Sequence, residues 1–487
     1  MLDVSLPGLQ PLPAAMLVML GNEFSYQHKK LLRGHDRFGP DGAASNMEIE
    51  RRFMCRVEAG RLVTGFGFLT RLVQVLNKYG CRVRYMDVTP PVDPKIYTPD
   101  WDNVRMRVKF RARQEECLQQ LANNQCGIVN ATTGFGKTYM FEALCHLYPY
   151  AKFDIVVGLK DVANRIVRQL SGSIPNVGQI GGGKKKRGNR VNVYVSKSIH
   201  HARHTEANFL LADEAHTLMT PDIIRGIDDA WKFTRNFGFT ASPTGRMDGA
   251  HAMLEMYFGP EIFTLSYQDA VELGLVVPIR VRWLPIRLDR NPVAGMDGVR
   301  RMRWGVWRNE ERNRLIAEDV RKNYSDPNTQ VLILTATTEH AVSLWQYLKE
   351  FSLCYGDIPS DKIIRYKRSG YLPANFIPMS ATRREQLRDG FESGAVKRVI
   401  ATDVWATGVD FANLQVLYRV DARESEILDI QGPGRVSRIA EGKQYGEVID
   451  CYDVFDKNFK RKSDRRKASY KKLGWAQEGV SRGLFDG

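Results

Sequence analysis

The eight residues Ala131-Thr132-Thr133-Gly134-Phe135-Gly136-Lys137-Thr138 follow an apolar stretch (Ile128, Val129) and lead into a helix-forming one. Such a turn aims successive backbone N–H groups at a phosphate, because glycine admits the backbone angles and the positive pole of the next helix favours an anion. Lys137 is placed to reach the terminal phosphates of a nucleotide, with Thr133, Gly134, Phe135 and Gly136 forming the cradle. The Thr138 hydroxyl would hold Mg²⁺. Ala131 stands where the general GxxxxGK[ST] pattern has its first glycine, so a plain glycine-rich turn is the alternative reading.

Further along, Asp213-Glu214-Ala215-His216 comes directly after the apolar run Phe209-Leu210-Leu211-Ala212. Two carboxylates ending a buried strand need a partner, and nucleotide-bound Mg²⁺ is a natural one. Asp213 would orient the metal and Glu214 would activate the attacking water. A solvated turn is the alternative, but a phosphate loop followed by an acidic pair is the order that nucleotide hydrolysis requires. Near the far end, Gln431-Gly-Pro-Gly-Arg435-Val-Ser-Arg438 sets two arginines three residues apart, which on one helix face could project toward a phosphoryl group.

Apolar runs punctuate the chain between these groups. Asp154–Val157, Gln330–Thr335 and Val399–Asp403 read as buried strands, and Glu339–Leu348 as a helix. Strands alternating with helices give an α/β fold with parallel sheets. The length of 487 residues suits roughly three domains, and 43% hydrophobic residues support buried cores. No apolar run approaches the roughly eighteen residues of a membrane span, and Leu12–Leu20 lacks the basic leader of a signal peptide. Seven scattered cysteines without a CxxC pair indicate neither a disulfide framework nor a structural zinc site.

The formal charge is +16, which favours a polyanionic partner. Lys184, Lys185, Lys186 and Arg187 follow three glycines and read as a mobile basic loop; the segment 457–472 carries nine basic residues against one Asp and reads as an exposed tail or helix. Both are candidate phosphate contacts, with a solvated surface as the alternative.

Together these motifs resemble the superfamily 2 helicases of the Asp-Glu-Ala-His kind, over about residues 105–455. The resemblance implies two tandem RecA-like parallel-sheet domains that use ATP and Mg²⁺ to move along nucleic acid. Phe110-Arg111-Ala-Arg-Gln114 is similar to the adenine-reading segment, which puts Arg111 and Gln114 at the nucleotide. Thr240-Ala-Ser242-Pro243 is similar to the motif that couples ATP state to nucleic-acid grip, and His216 and Gln431 join Thr240 and Ser242 in that role. In the second domain the resemblance assigns Thr402 to nucleic acid, Gly408 and Asp410 to the nucleotide, and Arg435 and Arg438 to an arginine finger. Gly158-Leu159-Lys160 departs from the family's usual Pro-Thr, leaving Lys160 and Ser196 as backbone contacts. The phrase from Phe237 to Gly249 is closest to the XPB-like and bacteriophage UvsW-type DNA helicases, which implies branched or forked DNA as the partner, a monomer, and the cytoplasm of a bacterium or phage-infected cell. An RNA helicase and the DNA-dependent motor of a restriction or defence assembly are the alternatives.

The expected domains are an N-terminal α+β accessory module (1–95), a first motor domain (96–275), an inter-lobe crossover (276–310), a second motor domain (311–455) and a basic tail (456–487). In the N-terminal module Leu69, Leu72, Val73 and Leu76 form a helical stripe, followed by strand-like alternation over 81–85. The Arg-rich stretch 289–308 reads as irregular and able to touch nucleic acid. Trp304 and Trp307 within it read as packing residues.

Overall fold

The computed structural model describes residues 2–4, 12–31, 47–83, 92–202, 205–231, 234–241, 253–356, 358–405, 411–423 and 432–478. The chain divides into two compact units, Met1–Ser266 and Tyr267–Gly487. Each is built around a parallel sheet, as the expected tandem RecA-like fold requires.

The first unit opens with small antiparallel pieces. Strands β1 (Leu2–Val4), β4 (Cys55–Glu58) and β5 (Arg61–Thr64) form one sheet, and β2 (Ser25–Leu31) pairs with β3 (Met47–Phe53). The expected helix spans Leu69–Lys78 and buries Leu72 and Leu76 against Leu20, Phe24, Met54 and Phe68. Cys81–Val83 is irregular rather than a strand, and 84–85 lie outside the described residues.

Gly65 and Gly67 bring this N-terminal part onto the helix Met253–Phe258. A Cβ at either glycine would land on the carbonyl oxygens of Met256 and Glu255, so bare backbone is what permits the approach. Arg71 bonds Glu255 at 3.2 Å beside it. Gly67→Ala should therefore act as overpacking and cost about 1–3 kcal/mol. The measurable results are a lowered melting temperature and earlier proteolytic cutting ahead of Asp93; an unchanged melt would mean that the contact is not tight in solution.

The large sheet of this unit comprises β6 (Cys126–Ala131), β7 (Phe153–Val157), β8 (Gly178–Gly181), β9 (Lys184–Lys186), β10 (Val191–Val195), β11 (Phe209–Asp213), β12 (Arg235–Thr240) and β13 (Glu261–Leu265). Its order is β13-β6-β12-β11-β7-β10-β8-β9, with every pair parallel except the β8–β9 hairpin. Helices cover the faces, so central strands such as β7 and β11 are buried along their whole length. Register sets Thr240 opposite Asn130 and Asp213 opposite Phe239. The carboxyl ends of β6, β11 and β12 thus share one edge, where open α/β sheets bind ligands.

The second unit holds β14 (Ile279–Ile286), β15 (Val331–Leu334), β16 (Ser352–Cys354), β17 (Arg398–Ala401), β18 (Val416–Arg419), β19 (Gly446–Asp453) and β20 (Ala476–Glu478), ordered β16-β17-β15-β18-β19-β14-β20 and parallel throughout. Two expectations change here. The residues read as the start of a crossover form β14, a strand between β19 and β20 whose Ile279, Val281, Trp283 and Ile286 are buried. The basic segment read as an exposed tail or helix is the helix Lys457–Lys472, but one face of it is not exposed: Phe459, Ser463, Arg466 and Tyr470 are buried. Among the described residues no helix is long and apolar enough to cross a membrane.

Candidate nucleotide and nucleic-acid site

The loop after β6 turns through Gly134 (φ 99°) and Gly136 (φ 95°), left-handed angles that glycine adopts without strain, and opens the helix Lys137–Leu147. A Cβ at Gly136 would sit 2.9 Å from Gln114 Nε2 and 3.2 Å from an Arg111 guanidinium nitrogen. Those two side chains brace the loop: Gln114 Nε2 donates to the Phe135 carbonyl at 2.7 Å, and Arg111 donates to the carbonyls of Gly134 (2.7 Å) and Phe135 (3.0 Å). Gln114 Oε1 in turn accepts from the Arg111 N–H at 2.8 Å. The segment that resembles the adenine-reading motif is therefore tied to the glycine loop, and both functional groups of the Gln114 amide are engaged there. The Phe135 ring is buried and stacks on Phe263 with centroids 5.4 Å apart, so its side chain anchors the turn while its backbone lines it.

At the same edge Lys137 Nζ lies 2.7 Å from Glu214 Oε1. Glu214 has φ 47°, a left-handed angle that carries the chain sharply off β11. Burial, and then the adjacent Glu214 carboxylate, push Asp213 up to about 6 against the pull of Lys137 and Arg165. Burial pushes Glu214 up too, but Lys137 and His216 outweigh it and hold that carboxyl below the usual range. His216 is fully buried and its Nδ1 is 2.7 Å from the Thr240 hydroxyl, which links the acidic turn to the end of β12. Ser242 lies outside the described residues. Sequence reading missed Arg165: it sits on the amphipathic helix Lys160–Leu170 and carries no motif signal.

Thr138 stands in the first turn of the helix after the loop, and Asp213 ends the strand two places from β6 across β12. A hydroxyl and a carboxylate are hard oxygen donors of the kind Mg²⁺ prefers.

The basic residues divide into two groups. Lys184 to Lys186 form exposed strand β9 rather than a loop, and Lys184 Nζ is engaged with Asn164 Oδ1 and Gln179 Oε1, both at 3.1 Å. Arg187 donates to the His201 carbonyl at 2.6 Å. Lys185 and Lys186 are exposed on the hairpin. The Lys160 stem packs beneath Gly182, and Ser196 is buried with its hydroxyl 3.4 Å from the Gly158 carbonyl.

In the second unit Thr402 follows β17 and is buried. Arg435 lies on the short 3₁₀ turn Pro433–Ser437, whereas Arg438 follows it with extended backbone (φ −65°, ψ 140°). The two arginines do not share an α-helical face, because the turn is 3₁₀ and ends at Ser437, before Arg438. Gly408, Asp410 and Gln431 lie outside the described residues.

Residues 107–245 match the family model described as "Type III restriction enzyme, res subunit", and residues 314–440 match "Helicase conserved C-terminal domain". No curated protein matches the chain. Among solved structures, S. cerevisiae Dbp5 bound to RNA and ADP BeF3 aligns at 16% identity over 79% of this chain and 92% of its own, with a TM-score of 0.52. A variant of that protein, also bound to RNA and ADP BeF3, aligns at 15% identity over 80% and 94%, with a TM-score of 0.53. At such identities the likeness is one of fold. Bacteriophage T4 UvsW aligns over 96% of both chains at 16% identity, but its TM-score of 0.38 is too low to carry an argument. With a phosphate loop and an acidic pair on one edge of the first parallel sheet, a second parallel sheet after it, and the two family models in that same order, the chain belongs to the superfamily 2 helicases.

Proposed function

We propose that this helicase hydrolyses ATP to unwind or remodel branched DNA, with the chemistry at the carboxyl edge of the first sheet. The observation that carries the hydrolytic part is the 2.7 Å contact between Lys137 and Glu214 at the mouth of the glycine loop. A γ-phosphate in that loop competes for the same ammonium. As Lys137 turns to it, Glu214 loses the partner that holds its proton affinity down, and the carboxylate becomes a better base for the attacking water. The base is thus set up by substrate binding. Mg²⁺ bound with the nucleotide neutralises phosphate charge, and Thr138 and Asp213 are the residues that would hold it. We assign Arg435 and Arg438 the arginine-finger role that their motif implies, and His216 with Thr240 the link from hydrolysis to nucleic-acid grip.

Branched DNA is supported by the likeness of Phe237–Gly249 to the XPB and UvsW-type phrase and by the formal charge of +16. Two duplex arms and a junction offer more phosphates to a basic surface than one short strand. The test compares ATPase stimulation by single-stranded DNA, forked DNA, a four-way junction and RNA at equal salt. Forks and junctions should stimulate most; RNA well above every DNA would overturn the DNA assignment and leave the ATPase. The first family model, named for a restriction subunit, favours a second reading as the translocating motor of such an assembly. Strand release from a fork by the purified chain alone separates the two.

A further inference from the structure

Trp304 and Trp307 differ in their surroundings. Between the helix Gly298–Met302 and Asn309, which caps the helix Glu310–Asn323, the chain makes a π-turn over Arg303–Trp307. The turn rotates Trp307 inward, against the cluster of Val293, Val306, Ala422 and Phe459, and leaves Trp304 44% exposed. Val299, 62% exposed on the preceding turn, leaves a second apolar side chain at the surface in the same segment.

The charges around the ring suggest a ligand for it. Arg303 and Arg308 both pair with the single carboxylate of Glu339, whose side chain is only 13% exposed. Two guanidinium groups on one carboxylate leave a net positive charge. The Arg308 guanidinium lies 5.8 Å from the Trp304 ring centroid and 5.9 Å from that of Tyr371. Arg300 is exposed on the preceding turn. Asp297, Glu310 and Glu311 flank the segment along the chain; Arg365, on the helix Ser360–Arg368, acts on Tyr366 as Arg303 and Arg308 do, but its own charge is paired with Asp361 at 4.0 Å. A flat ring beside surplus guanidinium groups matches a base on its sugar-phosphate.

We propose that Trp304, with Arg303 and Arg308, forms a stacking site for an unpaired nucleotide of single-stranded nucleic acid on the second unit. The base lies on the indole, and the 5′ or 3′ phosphate takes the positive charge that Glu339 leaves unbalanced. A duplex does not fit, because its bases are already stacked on one another and offer only edges; a single strand offers faces. The site rests on the nucleic-acid reading above and deepens it by naming a single-stranded contact outside the segments that the motifs cover.

The test uses the full-length protein with a dye-labelled oligothymidylate and a blunt duplex of equal length, read by anisotropy at fixed salt. Trp304→Ala should weaken oligothymidylate binding about tenfold, as loss of one stacked base does. Trp304→Phe, which keeps a ring, should recover most of that loss. Duplex affinity and the melting temperature should stay within error of wild type. With 5-bromouracil in the strand, irradiation should crosslink the peptide that contains Trp304. Equal affinity of wild type and Trp304→Ala for the oligothymidylate would overturn the proposal, as would equal losses on strand and duplex, which would signify a general basic surface. Failure of the helicase reading itself is distinct: there wild type would bind neither nucleic acid, and neither would stimulate its ATPase.

Discussion

Lys137→Ala and Glu214→Gln are each expected to abolish ATP turnover, and to do so by different routes. In the proposed site Lys137 supplies positive charge to the phosphates, and removing a preorganised group of this kind costs roughly 10²–10³-fold in kcat. Glu214 is the proposed base, and loss of general-base catalysis costs about 10²–10⁴-fold. Nucleotide affinity separates them. Lys137→Ala removes binding charge, so the Kd for a fluorescent ATP analogue should rise. Glu214→Gln keeps the shape and an acceptor for Lys137 while freeing that ammonium from a full negative charge, so ATP should bind at least as tightly and stay unhydrolysed. Single-turnover hydrolysis with equilibrium binding measures both quantities. Near-normal turnover in either variant would remove this edge of the sheet from consideration as the active site.

How much of this was legible in the sequence depended on whether the signal was local. The phosphate loop and the Asp213–His216 turn are short, contiguous and chemically unusual, so both could be read directly, and their strands announced themselves as fully apolar runs. What the sequence could not display was pairing across distance. β14 looks like an extended connector because its partner, β19, lies far along the chain, and nothing near Ile279 encodes that pairing. The helix Lys457–Lys472 hid its inward face because two members of that face, Ser463 and Arg466, are polar and disappear among nine basic residues. Gln114 shows a subtler limit. The family resemblance puts it at the nucleotide; its amide is also bonded to Phe135 and Arg111, and a hydrogen-bond partner within the protein is invisible until the loop is folded. Arg435 and Arg438 were placed on one helical face by their spacing, which presumes an α-helix; Gly432 and Pro433 start a 3₁₀ turn that ends between them.

The buried face of the C-terminal helix leads to the second large effect, on stability. Arg466 donates to both oxygens of Asp450 (2.9–3.2 Å) and to the Cys451 carbonyl at 2.8 Å, and the Tyr470 hydroxyl donates to Asp450 at 2.7 Å. Asp450 and Arg466 are each only 1% exposed, so neither charge has water to fall back on. Asp450→Ala should therefore cost about 3–5 kcal/mol, the usual price of leaving one buried ion without its partner. For a unit of this size that is a fall in Tm of roughly ten degrees or more. Removing residues 457–487 is more severe: it takes away Arg466, the Tyr470 ring stacked on Trp283, and β20 from the sheet edge. The truncated chain should lose the cooperative melting of its second unit, so weaker DNA binding by it would say nothing about phosphate contacts. Replacing exposed Lys457, Arg461 and Lys471 by glutamine isolates that question, because these residues face away from the buried side. If they touch duplex phosphates, the triple variant should melt like wild type while the slope of log affinity against log salt flattens by about 0.9 per lost contact. A truncated chain that still melts cooperatively at the wild-type temperature would show that the helix is the dispensable tail its charge suggests.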